Sequence, residues 1–126
     1  MILWITGNSK AGKTTLAKWL LELHPKAVWL DGDIVRTVWP GLGFSENDRV
    51  ENNMRVARLA DVLNKQGHTI IVSTICPFAS LRNKIRELIG KDVNFVYLSG
   101  GKPVTEEYPY EERQKSENNF DIHLSV

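Results

Sequence analysis

The chain has 126 residues, of which 42% are hydrophobic and 25% charged, as in a folded globular protein rather than a disordered one. Its formal net charge of +1 gives no electrostatic reason to expect a nucleic-acid or membrane partner. The single cysteine, Cys76, excludes an internal disulfide and is typical of a reducing compartment. The apolar residues 1–7 lack the basic start and cleavage site of a signal peptide. We therefore expect one domain over residues 1–126, located in the cytoplasm.

Short apolar runs alternate with longer helical patterns, which predicts a parallel sheet whose strands are joined by crossover helices. The first run, Ile2–Thr6, is apolar and suits a central strand that is covered on both faces. The other predicted strands are residues 27–30, residues 69–73, Val93–Leu98 and a short fifth strand at residues 120–124.

Three segments have the apolar spacing of helices that bury one face. The first helix is predicted to begin at Lys13. The second is predicted to follow Ser45, an N-cap with Asp48 three residues later, and to end at Gly67. The third is predicted over Ala79–Ile89.

A phosphate-binding motif lies between the first predicted strand and the first predicted helix. Residues 7–14 (GNSKAGKT) match the pattern G-x-x-x-x-G-K-[S/T]. Glycines let successive backbone N–H groups turn toward one anion, and the following helix points its positive end at the same place. Lys13 is expected to reach the β- and γ-phosphates, and Thr14 is expected to bind Mg²⁺ through its hydroxyl. The predicted nucleotide-binding residues are Gly7, Asn8, Ser9, Lys10, Ala11, Gly12, Lys13, Thr14 and Thr15.

The position of this motif decides between two interpretations. A glycine-rich turn with an incidental lysine is the alternative, but a strand before the loop and a helix after it favour triphosphate binding. We therefore expect an α/β fold of the three-layer P-loop NTPase type, with a parallel sheet of four to five strands flanked by helices.

Two carboxylates, Asp31 and Asp33, follow directly after the second predicted strand. Residues just past the carboxyl ends of parallel strands line the ligand crevice of an open sheet, at the edge where the phosphate loop also begins. Phosphoryl transfer needs a carboxylate for Mg²⁺ and one for the accepting hydroxyl. The alternative is a solvated Asp-Gly turn that caps the next helix. Beside a phosphate loop, we favour the functional interpretation.

Arg49 and Asn52 lie three residues apart at the start of the long predicted helix, so they share one face. A guanidinium at that place suits a phosphate or sulfate group on a second substrate. The alternative, an ordinary solvated helix arginine, stays open for each arginine taken singly.

Several strings of residues in chain order resemble the adenylylsulfate kinase family. Residues 4–7 (WITG) lead into the phosphate loop as in that family, and residues 30–36 (LDGDIVR) are similar to its L-D-G-D-N-[I/V]-R. Residues 42–52 (LGFSENDRVEN) resemble its L-G-F-S…D-R-x-E-N, and residues 73–78 (STICPF) resemble its S-x-I-S-P-[Y/F]. The resemblance extends over residues 1–98.

The resemblance implies that the γ-phosphate of MgATP passes to the 3′-hydroxyl of adenosine 5′-phosphosulfate (APS), which yields 3′-phosphoadenosine 5′-phosphosulfate. It implies catalytic roles for Lys13, Asp31 and Asp33, and Mg²⁺ binding by Thr14 and Asp33. Phe44 is expected to stack on the adenine of APS or flank it, although its position before Ser45 also suits a hydrophobic staple. The implied substrate-binding residues are Asp33, Arg36, Phe44, Arg49, Asn52, Ile75 and Cys76.

The expected partners are therefore ATP and APS, with Mg²⁺ as cofactor. No nucleic acid or membrane is expected, and a homodimer is one assembly to consider.

The sequence departs from the family pattern at several points. Ile34 replaces asparagine, Cys76 replaces serine, and Lys10 stands at a usual glycine. Cys76 is either a reactive thiol near the site or a buried side chain. We also expect the chain to lack the family's basic lid after Leu98 and its final helix. Two further functions stay open: a lid-less kinase for another alcohol (nucleoside, sugar or polynucleotide) and a nucleotide-binding module without catalysis.

Overall fold

A computed structural model describes residues 1–115, 117 and 122–124 of the chain. The described residues form one five-stranded sheet in the order β2-β3-β1-β4-β5, and every neighbouring pair is parallel. The predicted α/β fold with a parallel sheet is confirmed. The strands are β1 (Ile2–Thr6), β2 (Val28–Asp31), β3 (Ile70–Ser73), β4 (Val93–Leu98) and β5 (Ile122–Leu124).

The strand bounds differ from the predictions by small amounts. Strands β1 and β4 have the predicted bounds, whereas β2 continues through Asp31 instead of ending at residue 30. Strand β3 begins at Ile70, one residue later than predicted. Strand β5 covers the end of the predicted residues 120–124, of which residues 120 and 121 lie outside the described residues.

The helices are α1 (Lys13–Leu23), α2 (Gly32–Val35), α3 (Glu46–Lys65) and α4 (Ala79–Ile89), with a 3₁₀ turn at Arg36–Val38. The three predicted helices are confirmed. Helix α2 and the 3₁₀ turn were not predicted, because they are too short to show a helical period.

The start of α3 is formed as predicted. The Ser45 hydroxyl accepts a hydrogen bond from the Asp48 backbone N–H at 3.2 Å. Gly67, just past the end of α3, has φ of +94°, a left-handed conformation that glycine adopts without strain. Among the described residues, no helix combines the length and the hydrophobicity needed to cross a bilayer.

Strand β1 is buried on both faces of the sheet. Ile2 and Trp4 belong to one buried cluster, together with side chains of α3 and α4. Ile5 faces the opposite side and belongs to a second cluster that includes Ala17 of α1. Since successive side chains of a strand point to opposite faces, this apolar strand produces a three-layer fold with helices on both sides.

A buried ion pair fastens the segment after β4 to α4. Arg82 Nε lies 2.8 Å from Glu117 Oε1, and both side chains are fully buried. The Tyr97 hydroxyl donates to the same oxygen at 2.6 Å, and Arg86 Nη1 lies 3.1 Å from it. Burial alone would raise the pKa of Glu117, but hydrogen bonds from Arg82 and Tyr97 lower that pKa to about 2.

This cluster predicts acid sensitivity. Because the folded pKa of Glu117 lies below its ordinary value of 4.5, its contribution is complete above pH 4.5 and is lost as pH falls toward 2. We expect Glu117→Gln to reduce the free energy of unfolding at pH 7 by about 3–5 kcal/mol, since Arg82 is left buried without its carboxylate. Urea titrations over this pH range measure both effects.

Glu87→Gln, at an exposed position of α4, is the matched control and should match the wild-type pH profile. A Glu117→Gln protein with wild-type stability at pH 7 would contradict the role of the cluster.

Candidate functional site

The phosphate loop follows β1 directly and ends at the start of α1. Gly12 precedes the helix with φ of +101°, and none of the described side chains caps this helix start. The N–H groups of the first turn are therefore not used by a capping side chain, and an anion suits them. Lys10 also has a positive φ, +65°, which costs a residue with a Cβ more than it would cost glycine.

The side chain of Lys13 lies in the loop itself. Its Nζ donates a hydrogen bond to the Asn8 carbonyl at 2.9 Å. Burial lowers the pKa of Lys13, and the charges of Asp33 and Asp31 act in the opposite direction. Lys13, Asp31 and Asp33 all line one cleft, in which the ammonium interacts with the two carboxylates.

The acidic turn both caps the following helix and lines the cleft. Asp31 ends β2, and its Oδ1 accepts a hydrogen bond from the Asp33 N–H at 3.1 Å, so it caps α2. Both carboxylates also line the cleft beside the phosphate loop. Gly32 between them is required by space, since a Cβ there would lie 2.7 Å from Thr74 Cγ2.

Phe44 lines the same cleft, and two guanidinium groups lie near its ring. Its side chain is 69% exposed, which argues against a hydrophobic staple. The Arg36 guanidinium carbon lies 4.4 Å from the ring centre, and that of Arg49 lies 5.8 Å from it. Arg36 Nη1 donates to the Gly43 carbonyl at 2.8 Å, and Arg49 Nε donates to the Phe44 carbonyl at 2.7 Å. These bonds hold both cations beside the ring.

Two asparagines of α3 also line the cleft. Asn52 Oδ1 is buried and has no hydrogen-bond partner among the residues that the structure describes. Asn53 Oδ1 accepts from the Thr74 hydroxyl at 2.8 Å, and Asn53 Nδ2 donates to the Arg49 carbonyl at 2.9 Å. Thr74 accepts in turn from Trp4 Nε1 at 2.9 Å. These hydrogen bonds connect the start of α3 to the buried core residue Trp4.

One cleft of about 350 Å³ brings these groups together. The predicted site residues that line it are Ser9, Lys10, Gly12, Lys13, Thr14, Thr15, Asp31, Asp33, Arg36, Phe44, Arg49, Asn52 and Ile75. It is also lined by residues to which we assigned no role from sequence, namely Gly32, Asn53, Ser73, Thr74 and Pro77. The position of Ser73 and Thr74 at the carboxyl end of β3 is the signal that could have identified them.

Four predicted residues do not line the cleft: Gly7, Asn8, Ala11 and Cys76. Gly7 and Ala11 are buried, and a Cβ on Gly7 would lie 2.6 Å from the Leu98 carbonyl oxygen. The Asn8 side chain donates to the Lys102 and Tyr108 carbonyls instead of facing the cleft.

The expectation that the Cys76 side chain lines the substrate pocket is wrong. Its thiol is fully buried in the core cluster, while its neighbours Ile75 and Pro77 line the cleft. The backbone has φ of +45° at Cys76, and its carbonyl accepts from Arg82 Nη1 at 3.0 Å, so this residue is held inward. Burial raises the pKa of the thiol to about 12.

A family comparison agrees with this geometry. The model of the family described as "Adenylylsulphate kinase" matches residues 1–114. The chain belongs to the adenylylsulphate kinase family. The adenylyl-sulfate kinase of Rippkaea orientalis is 40% identical over 107 residues, and the match covers 81% of this chain and 58% of that relative. This chain thus spans less than two-thirds of that relative's length.

Solved structures from the family share the fold. The Mycobacterium tuberculosis APS kinase CysC in complex with AMPPNP and APS matches with a TM-score of 0.73 and 26% identity, covering 98% of this chain and 87% of that one. A hexameric APS kinase from Thiobacillus denitrificans matches with a TM-score of 0.71 and 30% identity, covering 83% of this chain and 23% of that chain.

The burial of Cys76 predicts a thiol that does not react in the folded protein. We expect iodoacetamide at pH 8 to leave the native protein unmodified and to alkylate Cys76 once urea unfolds the chain, because only an accessible thiolate reacts. Intact-protein mass spectrometry measures the added mass. Rapid alkylation of the native protein would contradict the burial of this side chain.

Proposed function

We propose that this chain transfers the γ-phosphate of ATP to the 3′-hydroxyl of APS, giving 3′-phosphoadenosine 5′-phosphosulfate. One observation carries the proposal: the phosphate loop, the acidic turn and a wall formed by Arg36, Phe44, Arg49 and Asn52, which we call the acceptor wall, all line a single cleft. Membership of the adenylylsulphate kinase family supports it.

The triphosphate of ATP binds at the start of α1, where the first-turn N–H groups are suited to an anion and Lys13 supplies a positive charge. The partly desolvated ammonium of Lys13 then exchanges the Asn8 carbonyl for the phosphates. The phosphates stabilise the charged form of Lys13, since an opposite charge raises the pKa of a lysine.

The oxygen groups in the cleft fit Mg²⁺. Thr14 and Asp33 both line it, and a hydroxyl and a carboxylate are ligands that Mg²⁺ accepts. The described residues contain no cluster of three or more His, Cys, Asp or Glu side chains, which suits an ion held largely by phosphates and water. When bound, Mg²⁺ neutralises charge on the β- and γ-phosphates. We propose Thr14 and Asp33 as the residues that hold it.

Asp33 also orients the accepting hydroxyl and takes its proton. The 3′-oxygen forms a bond to the γ-phosphorus while the bond from that phosphorus to the β,γ-bridging oxygen breaks, and ADP leaves. Asp31 supports this step, because its hydrogen bond to the Asp33 N–H holds the acidic turn in place.

The acceptor wall suits a sulfonucleotide. Arg36 and Arg49 place two positive charges beside Phe44, which matches an aromatic base joined to an anionic phosphosulfate. Asn52 Oδ1 finds no donor within the described part of the chain, and a buried acceptor without a partner costs about 1–3 kcal/mol. An amino or hydroxyl group of APS supplies that donor and recovers this cost. Ile75 lines the same pocket.

An assay of purified protein with MgATP and APS tests the proposal. We expect ATP-dependent formation of 3′-phosphoadenosine 5′-phosphosulfate, separated by anion-exchange chromatography. Turnover of a nucleoside, sugar or polynucleotide end in place of APS would assign a different acceptor. ATP binding without turnover on any acceptor would indicate a module that binds nucleotide without catalysis.

Two variants separate binding from chemistry. We expect Lys13→Ala to abolish measurable ATP binding and activity, because the phosphates lose their main cation. Asp33→Asn should keep the ATP dissociation constant within about threefold while kcat falls by at least about 100-fold, since it removes the base. Calorimetry and steady-state kinetics give the two quantities. Normal turnover by Asp33→Asn would refute the assigned role.

Asn52 provides a test of the acceptor wall. We expect Asn52→Leu to raise the KM for APS up to about tenfold, the loss of one hydrogen bond. The melting temperature of Asn52→Leu should not fall below that of the wild type, because the buried oxygen that it removes has no partner in residues 1–115, 117 and 122–124. An unchanged KM for APS would place the acceptor elsewhere.

The homodimer considered from the sequence stays a prediction. The hexameric assembly named above is a property of the Thiobacillus denitrificans protein. Light scattering on the purified chain gives its own assembly state.

A further inference from the structure

Residues 101–108, which we call the bridge segment, follow β4 and lie directly on the phosphate loop. The Lys102 N–H donates to the Ser9 carbonyl at 2.7 Å. A Cβ on Gly101 would lie 2.5 Å from the Ser9 carbonyl oxygen and 2.8 Å from the Ala11 nitrogen. The approach of the two backbones is therefore so close that only glycine fits.

The side chain of Asn8 joins the bridge segment to the loop at two points. Its Nδ2 donates to the Lys102 carbonyl at 3.0 Å and to the Tyr108 carbonyl at 3.1 Å. Its Oδ1 accepts from the Ser9 N–H at 2.9 Å. The side chain is only 4% exposed, and both its amide hydrogens are used.

Internal bonds make the bridge segment a closed loop. The Thr105 N–H donates to the Tyr108 carbonyl at 3.1 Å, and the Tyr108 N–H donates to the Thr105 hydroxyl at 3.0 Å. Lys102 Nζ donates to the Tyr108 hydroxyl at 2.8 Å and lies 4.1 Å from the ring centre. These bonds connect Lys102 and Thr105 directly to Tyr108 across the segment.

The far end of the bridge segment touches the acceptor wall. Arg49 Nη2 donates to the Glu107 carbonyl at 3.2 Å, and Glu107 precedes the residue that Asn8 holds. Two hydrogen bonds, joined by the covalent link between Glu107 and Tyr108, therefore connect the phosphate loop to the Arg49 guanidinium.

We propose that Asn8 is a positioning residue for the acceptor site. By holding the bridge segment it fixes the Glu107 carbonyl, and that carbonyl orients the Arg49 guanidinium before substrate arrives. A guanidinium that is already ordered loses less freedom on binding an anion, so its affinity is higher. This inference rests on the proposed function, because it takes APS as the ligand of Arg49.

The decisive measurement is the dissociation constant of APS in the absence of ATP, by calorimetry, for wild type and Asn8→Ala. Omitting ATP removes any direct effect of Asn8 on the bound phosphates. We expect Asn8→Ala to weaken APS binding by about 3- to 10-fold, the effect of one guanidinium losing its fixed orientation. The control is Asn94→Ala, a half-buried asparagine of β4 outside the cleft, which should bind APS as wild type does.

Hydrogen exchange tests the physical link independently of any ligand. The amides of Lys102 and Thr105 should exchange faster in Asn8→Ala than in wild type and in Asn94→Ala. Gly101→Ala, whose Cβ would collide with the Ser9 carbonyl, should raise both the exchange rates and the APS dissociation constant. This second variant keeps the test valid if Asn8→Ala folds poorly.

The outcomes separate this inference from the proposed function. Failure of the wild-type protein to bind APS would overturn both. Wild-type APS binding together with unchanged affinity in Asn8→Ala and Gly101→Ala would overturn the positioning role alone. Weaker APS binding with unchanged exchange in the bridge segment would also overturn it, because Asn8 would then act by another route.

Discussion

Strand β1 lies between β3 and β4 with both faces buried, so its carboxyl end cannot shift without disturbing two layers of packing. The phosphate loop begins at that end, which gives a glycine-containing loop a rigid support. The same burial leaves Trp4 Nε1 inside the core, where it needs an acceptor, and Thr74 provides one. The positions of the phosphate loop and of the acceptor wall therefore both depend on this one strand.

Arg49 is held from two directions. On the core side, its carbonyl is bonded by Asn53, which continues through Thr74 to Trp4. On the outer side, its guanidinium donates to the Glu107 carbonyl of the bridge segment. The segment that follows is fastened in turn by Arg82, whose Nη2 donates to the Glu111 carbonyl at 2.7 Å. The acceptor wall is thus ordered by contacts from residues far apart in sequence.

Much of the fold could be predicted from local patterns. The apolar run of β1, the helix start at Ser45 and the left-handed Gly67 each depend on neighbouring residues, so their signals are present in the chain itself. The phosphate loop was predictable for the same reason, since its motif is contiguous. The acidic turn was harder, because capping and lining the cleft both suit Asp31, and the structure shows that it does both.

The sequence by itself determined the parallel α/β fold, the phosphate-loop motif and most of the residues that line the cleft. Only the tertiary structure decided which way Cys76 points and what Asn8 contacts, because both answers depend on segments distant in the chain. The Cys76 side chain is buried in the core while its carbonyl accepts from Arg82, and Asn8 binds backbone carbonyls about a hundred residues later. Backbone carbonyls carry no sequence signal, so a contact between a side chain and a remote carbonyl cannot be predicted from residue identity.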